Sequence, residues 1–224
     1  EHVETIYYHY FASIANDSIK ALIEDISTLS TKLFNDIFLN TKLFNRIKFV
    51  YDSRNQKDYV NSDLRLIEET YSSFIRHGAN LTDENKKKYR QITQELSLLS
   101  PKYSNNVLNA TNKINEYWIS NEKDIKELPF NAVEAAKLYA KDKKRPEEWC
   151  FTLDTNIGIL LKSCGSRRVR EEVYRKFGSK CNGGEFDNFK NLKLISKLRD
   201  DKAKLLGYDT HADYVLDRRM AKCK

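Results

Sequence analysis

Four histidines, His2, His9, His77 and His211, are the residues best suited to acid–base or metal chemistry in this sequence, and their spacing argues against both. A helix-borne zinc site of the H-E-x-x-H kind sets two histidines four residues apart. Both then share one helix face and reach one ion, with the intervening glutamate placed to activate a bound water. His77 is followed by Gly-Ala-Asn-Leu and His211 by Ala-Asp-Tyr-Val, so neither fits. His2 and His9 stand seven apart on an expected helix, sharing a face but two turns distant. His211 and Asp213 occupy positions i and i+2, which point in different directions on a helix, so first-turn capping outweighs a catalytic pairing. Asp200-Asp201 lies among Lys and Arg on an expected helix and suits surface ion pairs. Gly183-Gly184, in the polar turn from Cys181 to Glu185, reads as a connection between helices rather than a phosphate cradle. No G-x-S-x-G elbow, P-loop or dinucleotide fingerprint occurs. The residues thus predict no catalytic, cofactor-binding or metal-ligating position in this chain.

Cys150, Cys164, Cys181 and Cys223 form no C-x-x-C pair and no zinc-ribbon spacing. They read as reduced thiols in a cytoplasmic setting, with a periplasmic one as the alternative.

The elements that would position these residues are helices. Ile19, Leu22, Ile23, Ile26, Leu29, Leu33 and Ile37 recur in steps of three and four from Asp17, which predicts a helix with that stripe buried. Asn40 or Thr41 can cap the next, carrying Leu43, Phe44, Ile47 and Val50. A third is expected from Ser62 to His77, with Leu64, Ile67, Tyr71, Phe74 and Ile75 inward and Gly78 closing it in a left-handed conformation. Thr82 caps a fourth, whose stripe is Tyr89, Ile92, Leu96 and Leu99. Ser100-Pro101 predicts a bend or restart there, because a proline inside a helix costs about 3 kcal/mol but little at a first helical position. Tyr103, Val107 and Ala110 continue the stripe beyond it, and the tight turn from Gly78 to Thr82 makes a long antiparallel hairpin. Glu116 to Ile119 and Trp149 to Leu153 read as short strands that pair across a small helix after Pro129 bearing Val133, Ala136 and Leu138. Helices then resume to Cys164, from Ser166 to Phe177, from Asp187 to Leu206, and after a cap at Thr210.

The fold class expected is mainly α, with at most a short β-hairpin near 116–120 and 148–154. Three regions follow: a long-helix hairpin over 1–115, a mixed insertion over 116–155 and a helical region over 156–224. Scarce Gly (7) and Pro (3), with 32% charged residues, suit amphipathic helices, while 13 Tyr and 11 Phe exclude a disordered chain. The net charge of +7 comes with interleaved signs: Lys86-Lys87-Lys88 follows Asp83 and Glu84, and Arg167-Arg168-Val169-Arg170 precedes Glu171-Glu172. Solvated helix faces account for such runs, so no nucleic acid is expected as a partner. No run of about 18 apolar residues is present, so no membrane helix is expected.

Several strings on these helices are recognisable together. Leu43-Phe44-Asn45-Arg46-Ile47 is followed by Phe74-Ile75-Arg76-His77-Gly78-Ala79-Asn80-Leu81, then by Glu95-Leu96-Ser97 and Asn106-Val107-Leu108-Asn109-Ala110-Thr111. Trp149 with Thr152-Leu153-Asp154 comes next, and then LRDDKAKLLGYDTHADYVLDRRMA from Leu198 to Ala221. In this order they resemble the N-terminal half of the zinc oligopeptidase family that includes thimet oligopeptidase, oligopeptidase A and peptidyl-dipeptidase. Lys180-Cys181 with Glu185-Phe186-Asp187-Asn188, and Arg218-Arg219-Met220-Ala221, are closest to bacterial peptidyl-dipeptidases, or dipeptidyl carboxypeptidases.

The resemblance implies the helical half of a gluzincin-type metallopeptidase that releases C-terminal dipeptides from short peptides. It implies that this half forms one wall of a deep substrate channel. The zinc and its ligand helix belong downstream of the matched segment, so no functional residue carries over and zinc is expected in the parent protein but not in this chain. Both ends, Glu1 and Lys224, read as cut, and targeting signals are expected outside them. The chain is accordingly expected to be inactive alone, to have the C-terminal catalytic half as its partner, and to self-associate through the apolar surface left bare. The alternative is a helical interaction module that binds nucleic acid through its basic surplus.

Overall fold

The computed structural model describes residues 2–14 and 16–223. Among them it contains eleven α-helices and one two-stranded antiparallel sheet, which is the mainly α fold expected. The chain divides into two compact units, one of residues 1–102 with 191–224 and the other of residues 103–190.

In the first unit α1 (His2–Ser13), α2 (Asp17–Ala21) and α3 (Ile23–Phe38) lead into α4 (Thr41–Asp52) and α5 (Asn61–Arg76). Asn40 caps α4 through its side-chain oxygen, which accepts from the Leu43 amide at 3.0 Å. After α5 the chain reverses at Gly78, whose φ of +86° is the left-handed value that its missing Cβ permits. The amides of Gly78 and Ala79 then donate to the carbonyls of Ile75 and Phe74, each at 3.0 Å, closing the helix end. Thr82 accepts from the Asn85 amide at 3.3 Å and opens α6 (Asp83–Ile114). A cluster of Phe44, Phe74 and Ala79, flanked by Phe38, Ile47, Tyr71 and Ile75, holds α3, α4 and α5 together. Burying a phenylalanine such as Phe74 contributes about 1.5–3 kcal/mol.

Two local expectations fail here. The first is the restart at Pro101, which lies inside an uninterrupted α6 rather than starting a new helix behind a Ser100 cap. One lost amide bond to the Ser97 carbonyl is tolerated because the helix is buried at Tyr89 and again at Ala110, and packing overrides local propensity. The second is the face of α3. Leu22, Leu29, Leu33 and Ile37 are all exposed, Leu29 by 64%, while Ile23, Ser27 and Asn35 are buried. Periodicity located the helix, but contacts from distant segments selected its inner face.

The second unit is built on β1 (Glu116–Ile119) and β2 (Trp149–Thr152), paired in the register Tyr117 with Phe151 and Trp118 with Cys150. Between them lies α7 (Phe130–Asp142), and α8 (Leu153–Ser163) and α9 (Arg167–Gly178) follow. Tyr117, Ile119 and Phe151 on the strands meet Leu153 and Leu160 on α8 and Val169 and Val173 on α9 in one apolar core. Val133 and Ala136 of α7 join that core as expected, but Leu138 is exposed and Ala140 takes the buried position instead. The remaining helices, α10 (Phe189–Leu205) and α11 (His211–Leu216), carry the strongest of the recognised strings. Asp187 and Asn188, expected inside α10, precede it; the Asn188 side chain donates to the Tyr103 carbonyl at 3.0 Å.

Candidate functional site

The densest set of long-range polar contacts in the first unit centres on Arg76. As a cation in the last turn of α5 it complements the carbonyl end of that helix. Its guanidinium does more, reaching residues far along the chain. Nη1 donates to the Tyr208 phenol at 2.9 Å and to the Asp217 carboxylate, and Nη2 donates to the Tyr214 carbonyl at 2.7 Å. The guanidinium also lies 4.5 Å from the centre of the Tyr214 ring, close enough for a cation–π attraction. A planar fork of five donors can serve three acceptors and a ring together, which an ammonium cannot. Burial pushes the Tyr208 phenol up, against the opposing pull of Arg76, so it remains a neutral hydrogen-bond partner.

One and two turns earlier on α5, the Ser72 hydroxyl and Glu69 accept from Arg218, Glu69 at 2.5 Å. These contacts border a cleft of about 550 Å³ whose walls include Tyr51, Arg65, Glu68 and Tyr71. Its carboxylates are engaged by arginines, Glu69 by Arg65 as well as Arg218, and it holds no nucleophile paired with a base. The arrangement clasps the segment after α10 onto α5 and offers no chemistry of its own.

In the second unit the Tyr117 phenol donates to Glu172 at 2.6 Å, and Arg168 bridges Glu172 and Asp124 at 2.8 and 2.6 Å. The hydrogen bond from Tyr117 and then that from Arg168 hold the Glu172 carboxyl below its ordinary range. A carboxylate so locked is ionised at neutral pH and cannot serve as a general acid.

The histidines stand apart. His77 packs against Phe34 and Phe38 with ring centres 5.0 and 4.5 Å away, and its Nδ1 lies 2.7 Å from the Ser73 carbonyl. Burial keeps it neutral. His211 lies beside Tyr214, and its Nδ1 is buried with no hydrogen-bond partner among the described residues. Thr210 caps α11 by accepting from the Asp213 amide at 3.2 Å, and its hydroxyl donates to the Asp213 carboxylate at 2.7 Å. His2 and His9 are exposed on α1. Asp200 pairs with Lys204 at 2.7 Å. Of the basic runs, Lys88 pairs with Glu84, but Lys86 is only 8% exposed and donates to the Thr41 hydroxyl at 2.9 Å, so it is not on a solvated face. Among the described residues no group of three or more His, Cys, Asp or Glu converges as a metal site requires. The resemblance places the zinc in the parent protein and not on these side chains, and no reaction step is derived through them.

What sequence reading missed is the long-range role of Arg76 and Arg218. Both were legible as basic residues near helix ends, but nothing local tells which distant acceptors they meet.

Comparison with known proteins bears on the same segment. The model of peptidase family M3 matches residues 160–224, which include Tyr208, Tyr214 and Asp217. The chain is 32% identical over 210 residues to the organellar oligopeptidase A, chloroplastic/mitochondrial, of Arabidopsis thaliana, covering 91% of this chain and 26% of that protein. It is 33% identical over 186 residues to oligopeptidase A of Haemophilus influenzae, covering 80% of this chain and 27% of the relative. With the dipeptidyl carboxypeptidase of Salmonella typhimurium the identity is 25% over 222 residues, covering 98% of this chain and 32% of the relative. The chain thus spans between a quarter and a third of the length of these curated relatives. The oligopeptidases A match at higher identity and the dipeptidyl carboxypeptidase over more of the chain.

Proposed function

We propose, for a chain that belongs to the zinc oligopeptidases of peptidase family M3, that it is the helical segment of a metallopeptidase acting on short peptides. Its role is to build one wall of the substrate channel, opposite a zinc-bearing segment of the same polypeptide. The observation that carries this reading is the colinear relationship, over 91% of the chain, to a protein named an oligopeptidase. The bare apolar stripe of α3, from Leu22 to Ile37, supports a further segment that covers it. In this reading the enzyme removes C-terminal dipeptides, the chain alone is inactive, and zinc is held by residues beyond those described.

The test compares this chain alone with the polypeptide extended by its downstream coding sequence, each supplied with zinc and a fluorogenic peptide with a free C-terminus. Cleavage by the extended protein only, lost on chelation and accompanied by an H-E-x-x-H sequence in the extension, is expected. Zinc-dependent cleavage by the 224 residues alone, or an extension without such a sequence, would overturn the proposal.

A further inference from the structure

A second cavity in the first unit, of about 500 Å³, lies apart from the cleft at Arg218 and is walled by α1, α3 and α6, with Lys202 of α10. That volume is in the range of small-molecule sites. Its lining is unusual for helix packing because α3 turns polar residues inward. Ser27, Thr31 and Asn35 face it from α3, and Thr93 and Ser97 from α6. Asn35, only 3% exposed, donates to the Thr93 hydroxyl at 2.9 Å. Helices that merely pack would turn the apolar face of α3 to this side, and here that face is given to solvent instead.

Lys202 of α10 reaches the same cavity. Its ammonium lies 5.3 Å from the centre of the Tyr89 ring and 5.6 Å from that of Tyr214. Among the described residues it has no hydrogen-bond acceptor and no carboxylate within ion-pair distance. Its charged neighbour is Arg76, whose own charge is already matched by Asp217, and the imidazoles of His77 and His211 lie nearby. Tyr89, only 2% exposed, lines the cavity beside it. The carboxylate lining the cavity, Glu4 on α1, makes no ion pair with the lysine. The half-buried ammonium thus has two aromatic rings but no carboxylate beside it, and an anion entering the cavity would supply the missing counter-charge. Burial, and then the field of Arg76, lower the Lys202 pKa.

We infer that this cavity is an oxyanion-binding site, in which the Lys202 ammonium and the Tyr89 hydroxyl receive a carboxylate or phosphate group and the hydroxyls of α3 and α6 surround it. Two donors on α6 and α10, backed by α3, bind the anion; nothing in the site attacks it. The inference stands on this cavity alone and does not depend on the peptidase reading.

It is tested on this chain by thermal denaturation and titration calorimetry with sodium phosphate, sodium acetate and sodium glutamate, each against sodium chloride at matched ionic strength. A saturable rise in melting temperature with phosphate alone identifies a phosphate site. A rise with acetate or glutamate identifies a carboxylate site. Lys202→Met removes the response, Lys202→Arg keeps it, and Tyr89→Phe, which leaves the ring in place, weakens affinity several-fold. In anion-free buffer Lys202→Met also melts no lower than the parent, because it removes a half-buried charge that has no carboxylate partner. Equal responses to chloride and the oxyanions, an unchanged response in Lys202→Met or Tyr89→Phe, or a Lys202→Met chain that fails to fold would each overturn the inference.

Discussion

The Nη1 nitrogen of Arg76, at the end of α5, stands 2.9 Å from the phenol oxygen of Tyr208, a residue 132 positions further along the chain. This bond, with those to Tyr214 and Asp217, ties the segment recognised by the family model to the helix hairpin that precedes it. The Arg76 side chain is only 13% exposed, so its partners would be left partly desolvated without it.

Arg76→Ala is accordingly expected to destabilise the chain by about 2–3 kcal/mol, the range for losing charged hydrogen bonds and leaving a half-buried carbonyl unmatched. Arg76→Lys recovers less than half, since one ammonium cannot reach all three acceptors. Urea denaturation followed by circular dichroism reads both values. An Ala variant within 0.5 kcal/mol of the parent, roughly the spread of neutral surface substitutions, would show that the clasp is not energetically significant.

The outward stripe of α3 predicts self-association. Replacing Leu29 and Leu33, which are 64% and 58% exposed, by Gln removes apolar surface without touching the core. Stability should change by less than about 1 kcal/mol, whereas concentration-dependent association in light scattering falls at least tenfold. Association that is indifferent to the double substitution would point to another surface.

Acid should weaken the fold before the carboxylates titrate. His77 and His211 both have pKa values lowered from 6.5, each chiefly by burial, with Lys202 and a neighbouring arginine opposing the charge. The unfolded chain therefore binds protons near pH 6.5 that the folded chain refuses. Stability is full above that pH and is lost as pH falls below it. Carboxyls held low, such as Glu172, act in the same direction only nearer the ordinary glutamate value of 4.5. Urea midpoints measured from pH 7.5 to 5 should decline, and the slope should be shallower in His77→Gln. An identical slope in that variant would exclude His77 as a source.

Thiol reactivity should divide the four cysteines. Cys150 is buried on β2 and its thiol is pushed up to about 11, while Cys164 is buried with its Sγ 3.1 Å from the Asp124 carbonyl. At pH 8 the folded chain should be alkylated at exposed Cys223 and more slowly at Cys181, with Cys150 and Cys164 reacting only on unfolding. Peptide mapping by mass spectrometry after a timed pulse distinguishes the sites. Rapid labelling of Cys150 in the native chain would contradict the core of the second unit.

The amino-acid sequence by itself determined the features that depend on neighbours within about four residues. Caps at Asn40, Thr82 and Thr210, the left-handed turn at Gly78 and the strands around Trp118 and Cys150 were all readable, because each is fixed by the chemistry of its own side chain and backbone. The order of motifs from Leu43 to Ala221 was readable too, and it carried the family. Tertiary structure alone decided which face of α3 is covered, that α6 continues through Pro101, and that Lys86 is buried while Leu138 is exposed. It also decided that Arg76 meets Tyr208 and that Lys202 lines a polar cavity. A helical pattern states only that one face differs from the other. Which face is buried, and which charge finds a partner, depends on segments a hundred or more residues away, and no local preference encodes their position.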